Sequence, residues 1–234
     1  MLPVWHVLIY LGDGAVLIPC AMLIFVWLIA QSATRHTGWW WLLAVLLVSG
    51  GVSLSKLLYM VSGWHPAGWN FIGLSGHAAL SFLLFPAAAA LVTSRNNYRL
   101  RFVAIALGGC LALAISISSW VLRDHSLAEL ALGSLWGALG AAAFLTLTGR
   151  QVAQAPSLRR WIIVSPLLLA MVAYKHQFPS TRVLSWIALR VGEHSAIHTR
   201  TELGPQAQLS TREADGRHPR LHAARTPAPR QGEP

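Results

Sequence analysis

The chain has 234 residues, of which 55% are hydrophobic and 11% charged, with a formal net charge of +10; its mean hydropathy is +0.52. Soluble domains carry about 25% charged residues, so this composition excludes an ordinary soluble enzyme, a disulfide scaffold and a nucleic-acid-binding domain. The charge is also unevenly placed: residues 1–148 hold 6 Lys/Arg and 3 Asp/Glu, and residues 149–234 hold 12 and 5.

Six apolar runs read as candidate membrane spans, at 4–30, 39–62, 75–93, 100–122, 126–147 and 161–175. A spanning helix needs about 20 mostly apolar residues, and lipid offers no partners for open backbone, so the spans are expected to be helices. The first run is interrupted by Gly12-Asp13-Gly14, which predicts a short interfacial helix (3–11) followed by a span (14–31). No Lys or Arg precedes the first apolar stretch, so it does not read as a signal peptide. The sixth run is short. The expected fold is therefore all-α, a polytopic membrane helical bundle over residues 1–202. The tail at 203–234 is rich in Pro, Arg, Gln and Gly and reads as disordered and basic. Cys20 and Cys110 sit in separate apolar runs and read as small buried residues. The tryptophans, including Trp39–Trp41, Trp64 and Trp69, fit an aromatic interface belt.

Loop charge predicts the orientation. Arg35, then Arg95, Arg99 and Arg101, then Arg150, Arg159 and Arg160 fall in connections that share one side by parity. Lys/Arg-rich loops face the cytoplasm, which turns the 63–74 loop and the 123–125 turn outward.

Ionisable groups at membrane depth are costly and mark functional candidates. Apart from Asp13, they gather at the outward span ends: Lys56, His65, His77, Arg123, Asp124, His125 and Glu129. Ser75-Gly76-His77 opens the third span. His125 opens the fifth, and Glu129 follows it by four residues, which stacks the two on one helix face. A carboxylate so placed holds one imidazole nitrogen and leaves the other free to react.

This set suits phosphoryl transfer. A helix start with small residues offers free N–H groups to an anion, and Lys56 adds a point charge. One histidine can attack phosphorus and the other can protonate the leaving oxygen. The plainer readings are that Lys56 snorkels to the interface, Ser75 is only a helix cap, His125–Glu129 is a surface pair, His65 is interfacial, and Asp13 only breaks the first span. No cofactor or metal is expected. His194 and His198 are four apart but lack further ligands.

The segments KLLYMVSGWHP, LSGHAAL and SISSWVLRDHSLAELALG resemble the motifs of the type-2 phosphatidic acid phosphatase superfamily of membrane lipid phosphatases. That family carries Lys-x6-Arg-Pro, Pro-Ser-Gly-His and Ser-Arg-x5-His-x3-Asp, in this order, over the stretch matching residues 50–140. The resemblance implies that His125 is the nucleophile forming a phosphohistidine, Glu129 its orienting acid and His77 the general acid. It implies phosphate binding by Lys56, Ser75 and the Gly76 backbone, with His65 and Arg123 as further candidates. The first-motif Arg falls on Gly63, with His65-Pro66 two positions later. The Pro before Ser75 is Leu74, the third-motif Arg falls on Ser119, and the acid is Glu129 in place of Asp.

The implied partner is a membrane lipid phosphate or diphosphate, in a bacterial inner membrane with the site facing the periplasm or exterior. Two alternatives stand beside it: a catalytically silent family member acting as a lipid-binding or scaffold protein, and a haem-binding membrane cytochrome using histidine pairs.

Overall fold

The computed structural model describes residues 2–66, 69–93, 97–148, and 184, 185, 187, 188 and 190. The described residues form six helices and no strand: α1 (Leu2–Leu11), α2 (Gly14–Ala30), α3 (Arg35–Ser62), α4 (Gly76–Val92), α5 (Tyr98–Val121) and α6 (Leu127–Thr148). The boundaries follow local chemistry. Asp13 interrupts the first run and starts α2, its Oδ1 accepting from Ala15 N at 2.7 Å, and α1 and α2 are bent by 42° at this break. Ser75 Oγ accepts from Ala78 N at 3.4 Å at the head of α4. Asn97 Oδ1 accepts from Leu100 N at 3.0 Å at the head of α5. Each satisfies one of the amides that a helix start leaves without an intrahelical partner.

Helix α4 is the hub. It packs against α5, α6, α3 and α2, while α1 leans on α5. Its contact with α6 is backbone-close. A Cβ on Gly133 would lie 2.7 Å from the Ser75 carbonyl oxygen, and one on Gly137 would collide with the Ala79 carbonyl. Small residues four apart let two apolar helices approach this way where hydrophobic burial gives little drive. Below them Leu17, Ile24, Leu28, Trp41, Val48, Leu83 and Phe144 form the core. Trp41 belongs to that core and not to an interface belt: it is fully buried and its indole N–H donates to the Ala21 carbonyl at 2.8 Å. Trp39, Trp64 and Trp69 are exposed. Of the two cysteines, Cys20 is buried as expected, whereas Cys110 is exposed on the outer face of α5.

The outer faces are as apolar as the inner ones. Leu46, Leu54, Phe102, Leu107, Leu135 and Leu139 are all more than half exposed. Helices hydrophobic all round on the outside of a bundle are compatible with an integral membrane protein. Helices α3, α5 and α6 are each long and apolar enough to cross a bilayer, the bent α1–α2 pair passes the same test as one broken span, and α4 is shorter at 17 residues. The expected run at 161–175, Arg95, Arg150, Arg159, Arg160, His194, His198 and the tail at 203–234 lie outside the described residues.

Candidate active site

The site is assembled where three segments meet: the chain entering α4, the turn between α5 and α6, and the break between α1 and α2. Its fastener is Glu129, which is fully buried. Glu129 Oε2 lies 2.8 Å from His125 Nδ1 and accepts from Ser126 N at 3.3 Å. Ser126 Oγ in turn accepts from Glu129 N at 3.3 Å. Ser126-Leu-Ala-Glu129 is thus a capping box, each residue satisfying the other's amide at the start of α6. Glu129 Oε1 accepts from Ile72 N at 3.0 Å, and the Glu129 carbonyl accepts from Ser75 N at 3.1 Å. A buried carboxylate is tolerated where its lone pairs are so fully used.

The capping box answers why His125 is held as it is. The carboxylate is fixed by the helix start, the helix repeat brings His125 over it, and Nδ1 is engaged. Nε2 is the ring nitrogen outside that contact, and the His125 side chain is 11% exposed. The sequence spacing His125–Glu129 anticipated this pair. Ser126 was not singled out, although Ser-x-x-Glu before an apolar run was the readable signal.

His77 stands in the first turn of α4, and its ring centroid is 5.9 Å from that of His125, edge to face. The two histidines expected to work together are therefore adjacent. Lys56, His125 and Asp13 are the charged or titratable neighbours that act electrostatically on His77. Asp13 was read as a span breaker; its Oδ2 lies 3.8 Å from His77 Nε2. Lys56 is half-buried on α3, and the loop after α3 folds down on it. Gly73, with φ 137°, makes this possible, since a Cβ there would sit 2.7 Å from Lys56 Cγ and 2.9 Å from its backbone. Leu74 N donates to Ser55 Oγ at 2.9 Å and closes the same seam.

The remaining expected phosphate ligands are placed differently. Ser75 is fully buried and its oxygen caps α4, so it fixes the helix start that presents the Gly76 and His77 amides. His65 lies beside Tyr59, with ring centroids 6.2 Å apart, and its Nδ1 is 3.1 Å from the Pro66 carbonyl oxygen. Arg123 is exposed in the turn before His125. To reach back over Ser119 it would need a continuing helix, but α5 ends at Val121 and Arg123 has φ 62°. The left-handed residue turns the chain off the helix face, so the one-turn relation to Ser119 does not hold. Ser119 is fully buried, its hydroxyl donating to the Ile115 carbonyl at 3.2 Å. Gly63 is the left-handed cap that ends α3, with φ 66°. Among the described residues no three His, Cys, Asp or Glu converge as ligands for a metal ion.

About two to four helical turns along α3 from Lys56, a separate apolar cavity of about 240 Å³ opens between α3 and α6. Leu43, Leu47, Val48, Leu139 and Phe144 line it, together with Trp136, whose indole N–H donates to the Val48 carbonyl at 3.2 Å.

No family model matches this chain, and no solved structure matches it. It is similar to a protein of Klebsiella pneumoniae described as "Uncharacterized 22.5 kDa protein in cps region", with 32% identity over 206 residues, 87% of this chain and 99% of the relative. At that identity and coverage, the chain belongs to the same protein family as this Klebsiella cps-region protein.

Proposed function

We propose that the chain is an integral membrane phosphatase of the type-2 phosphatidic acid phosphatase kind, acting on a lipid phosphate or diphosphate at the outward ends of about six spans. The observation that carries this reading is the edge-to-face pair His77–His125, one ring held through Nδ1 by the buried Glu129, beside the Ser75-capped helix start and Lys56. One bound phosphate group can touch both rings at that spacing. The lone pair of His125 Nε2 attacks phosphorus. The bond to the leaving oxygen breaks with its electron pair, and that oxygen takes the proton of His77. Water then attacks the phosphohistidine, gives a proton back to His77, and frees phosphate and His125. Glu129 stabilises the imidazolium side of this cycle. Lys56 and the Gly76 and His77 amides neutralise charge on the phosphoryl oxygens. The apolar cavity between α3 and α6 suits a hydrocarbon chain and supports a lipid substrate.

A second reading, a catalytically silent lipid-binding member, is favoured by Gly63 and Ser119, which put a helix cap and a buried hydroxyl where the family carries arginines. Phosphate release from a panel of lipid phosphates and diphosphates in detergent separates the two. The phosphatase reading expects release that persists in EDTA. No release from any lipid, or release that requires an added divalent ion, sinks it.

A further inference from the structure

The contact between the α1–α2 break and α4 is more than a helix crossing. Asp13 divides its two carboxylate oxygens between separate tasks. Oδ1 caps α2, and Oδ2 faces His77 Nε2 at 3.8 Å, with the side chains 13% and 25% exposed. That distance makes the contact electrostatic rather than a hydrogen bond. A cap alone does not call for aspartate, because Ser, Thr or Asn serves as well, and a carboxylate at this depth is costly.

The break is seated against the same stretch of α4 further down. A Cβ on Gly12 would lie 3.4 Å from Ser81 Oγ. Ser81, one turn after His77, is fully buried, and its hydroxyl has no hydrogen-bond partner among the described residues. Helix α1 is anchored on α5, and α2 on α3 and α4, so Asp13 is held from both sides. The groups facing His77 are Lys56 from α3, His125 from the turn before α6, and Asp13 from the break. Asp13 is the acid among them.

We propose that Asp13 is a positioning residue for His77, its carboxylate facing Nε2 and supplying the negative charge that offsets two basic neighbours. For what His77 then does, the inference rests on the phosphatase reading. The site so built has two imidazole–carboxylate pairs, one for each histidine.

The test is a proton titration of the histidine rings by NMR on the full chain in detergent, with 13C at Cε1 and the His77 signal assigned through His77→Gln. Asp13→Asn and Asp13→Ser both keep an oxygen to cap α2 and remove the charge. Both are expected to melt near the wild-type temperature and to lower the proton affinity of His77 about tenfold, the effect of losing an opposite charge at this range. An unchanged His77 titration in either folded variant overturns the proposal. The titration needs no turnover, so it reports on Asp13 even if no lipid phosphate is hydrolysed and the phosphatase reading fails. With turnover, the alkaline limb of the kcat/KM profile moves to lower pH in Asp13→Asn. A uniform loss at every pH, with the limb unmoved, also counts against the proposal.

Discussion

The two histidines of the site are held in different ways. His125 takes its carboxylate from its own helix start, four residues on, at 2.8 Å, inside a capping box that α6 needs in any case. His77 faces a carboxylate from a remote helix break, at 3.8 Å. The first pair is set by local geometry and forms whenever α6 does. The second exists only when α1, α2 and α4 have all docked. Local pairing fixes a ring's orientation, and long-range pairing gives a looser contact; under the proposed function the first serves the nucleophile and the second the group that passes a proton.

Substitutions can break this comparison. His125→Ala is expected to reduce phosphate release to background with the helices intact by circular dichroism; wild-type-like turnover would remove His125 as nucleophile. His77→Ala is expected to lower kcat about 100- to 10,000-fold, the usual reach of a general acid–base, and a loss below tenfold would assign the proton to another group. Glu129→Ala and Asp13→Ser separate the pairs by stability. Glu129→Ala leaves the Ile72 and Ser126 amides and His125 without their partner and should cost about 3 kcal/mol, while Asp13→Ser keeps its cap and should melt near the wild type. Equal melting temperatures in detergent would mean that Glu129 does not fasten the site. The smallest effect belongs to Arg123→Ala: with the residue exposed and turned off α5, activity on one lipid phosphate should fall about fivefold at most, the equivalent of about 1 kcal/mol for an exposed charge. A larger drop would return Arg123 to the phosphate site.

The sequence made the local pair readable and hid the distant one, for physical reasons. A four-residue spacing at a helix start has one geometric outcome, so His125–Glu129 could be placed from the chain alone. The five described apolar runs could be placed too, because long uncharged stretches have no stable alternative to helix in lipid. Asp13 carried both of its roles in one residue. Its neighbours Gly12 and Gly14 announce the turn, and nothing in the local sequence says that the turn lands against His77. Arg123 lies two residues past the end of α5, and its left-handed turn, which local spacing does not announce, takes it off the helix face that Ser119 occupies. Trp41 looked like its neighbours Trp39 and Trp40, and only tertiary contacts separate it from them: it is fully buried, donates to the Ala21 carbonyl and packs against Phe144 with ring centroids 5.2 Å apart.

The glycine contact between α4 and α6 also bears on how the protein is made. Synthesis delivers α4 to the membrane before α6, yet Ser75 N finds the Glu129 carbonyl, and the Ser75 and Ala79 carbonyls meet Gly133 and Gly137, only after α6 has arrived. Helix α4 is also short, so it gains most from a partner already in the bilayer. The pocket is therefore completed at a late step of biogenesis, when α6 slides into register. A nascent chain stalled before α6 would hold both histidines with the pocket around them unformed.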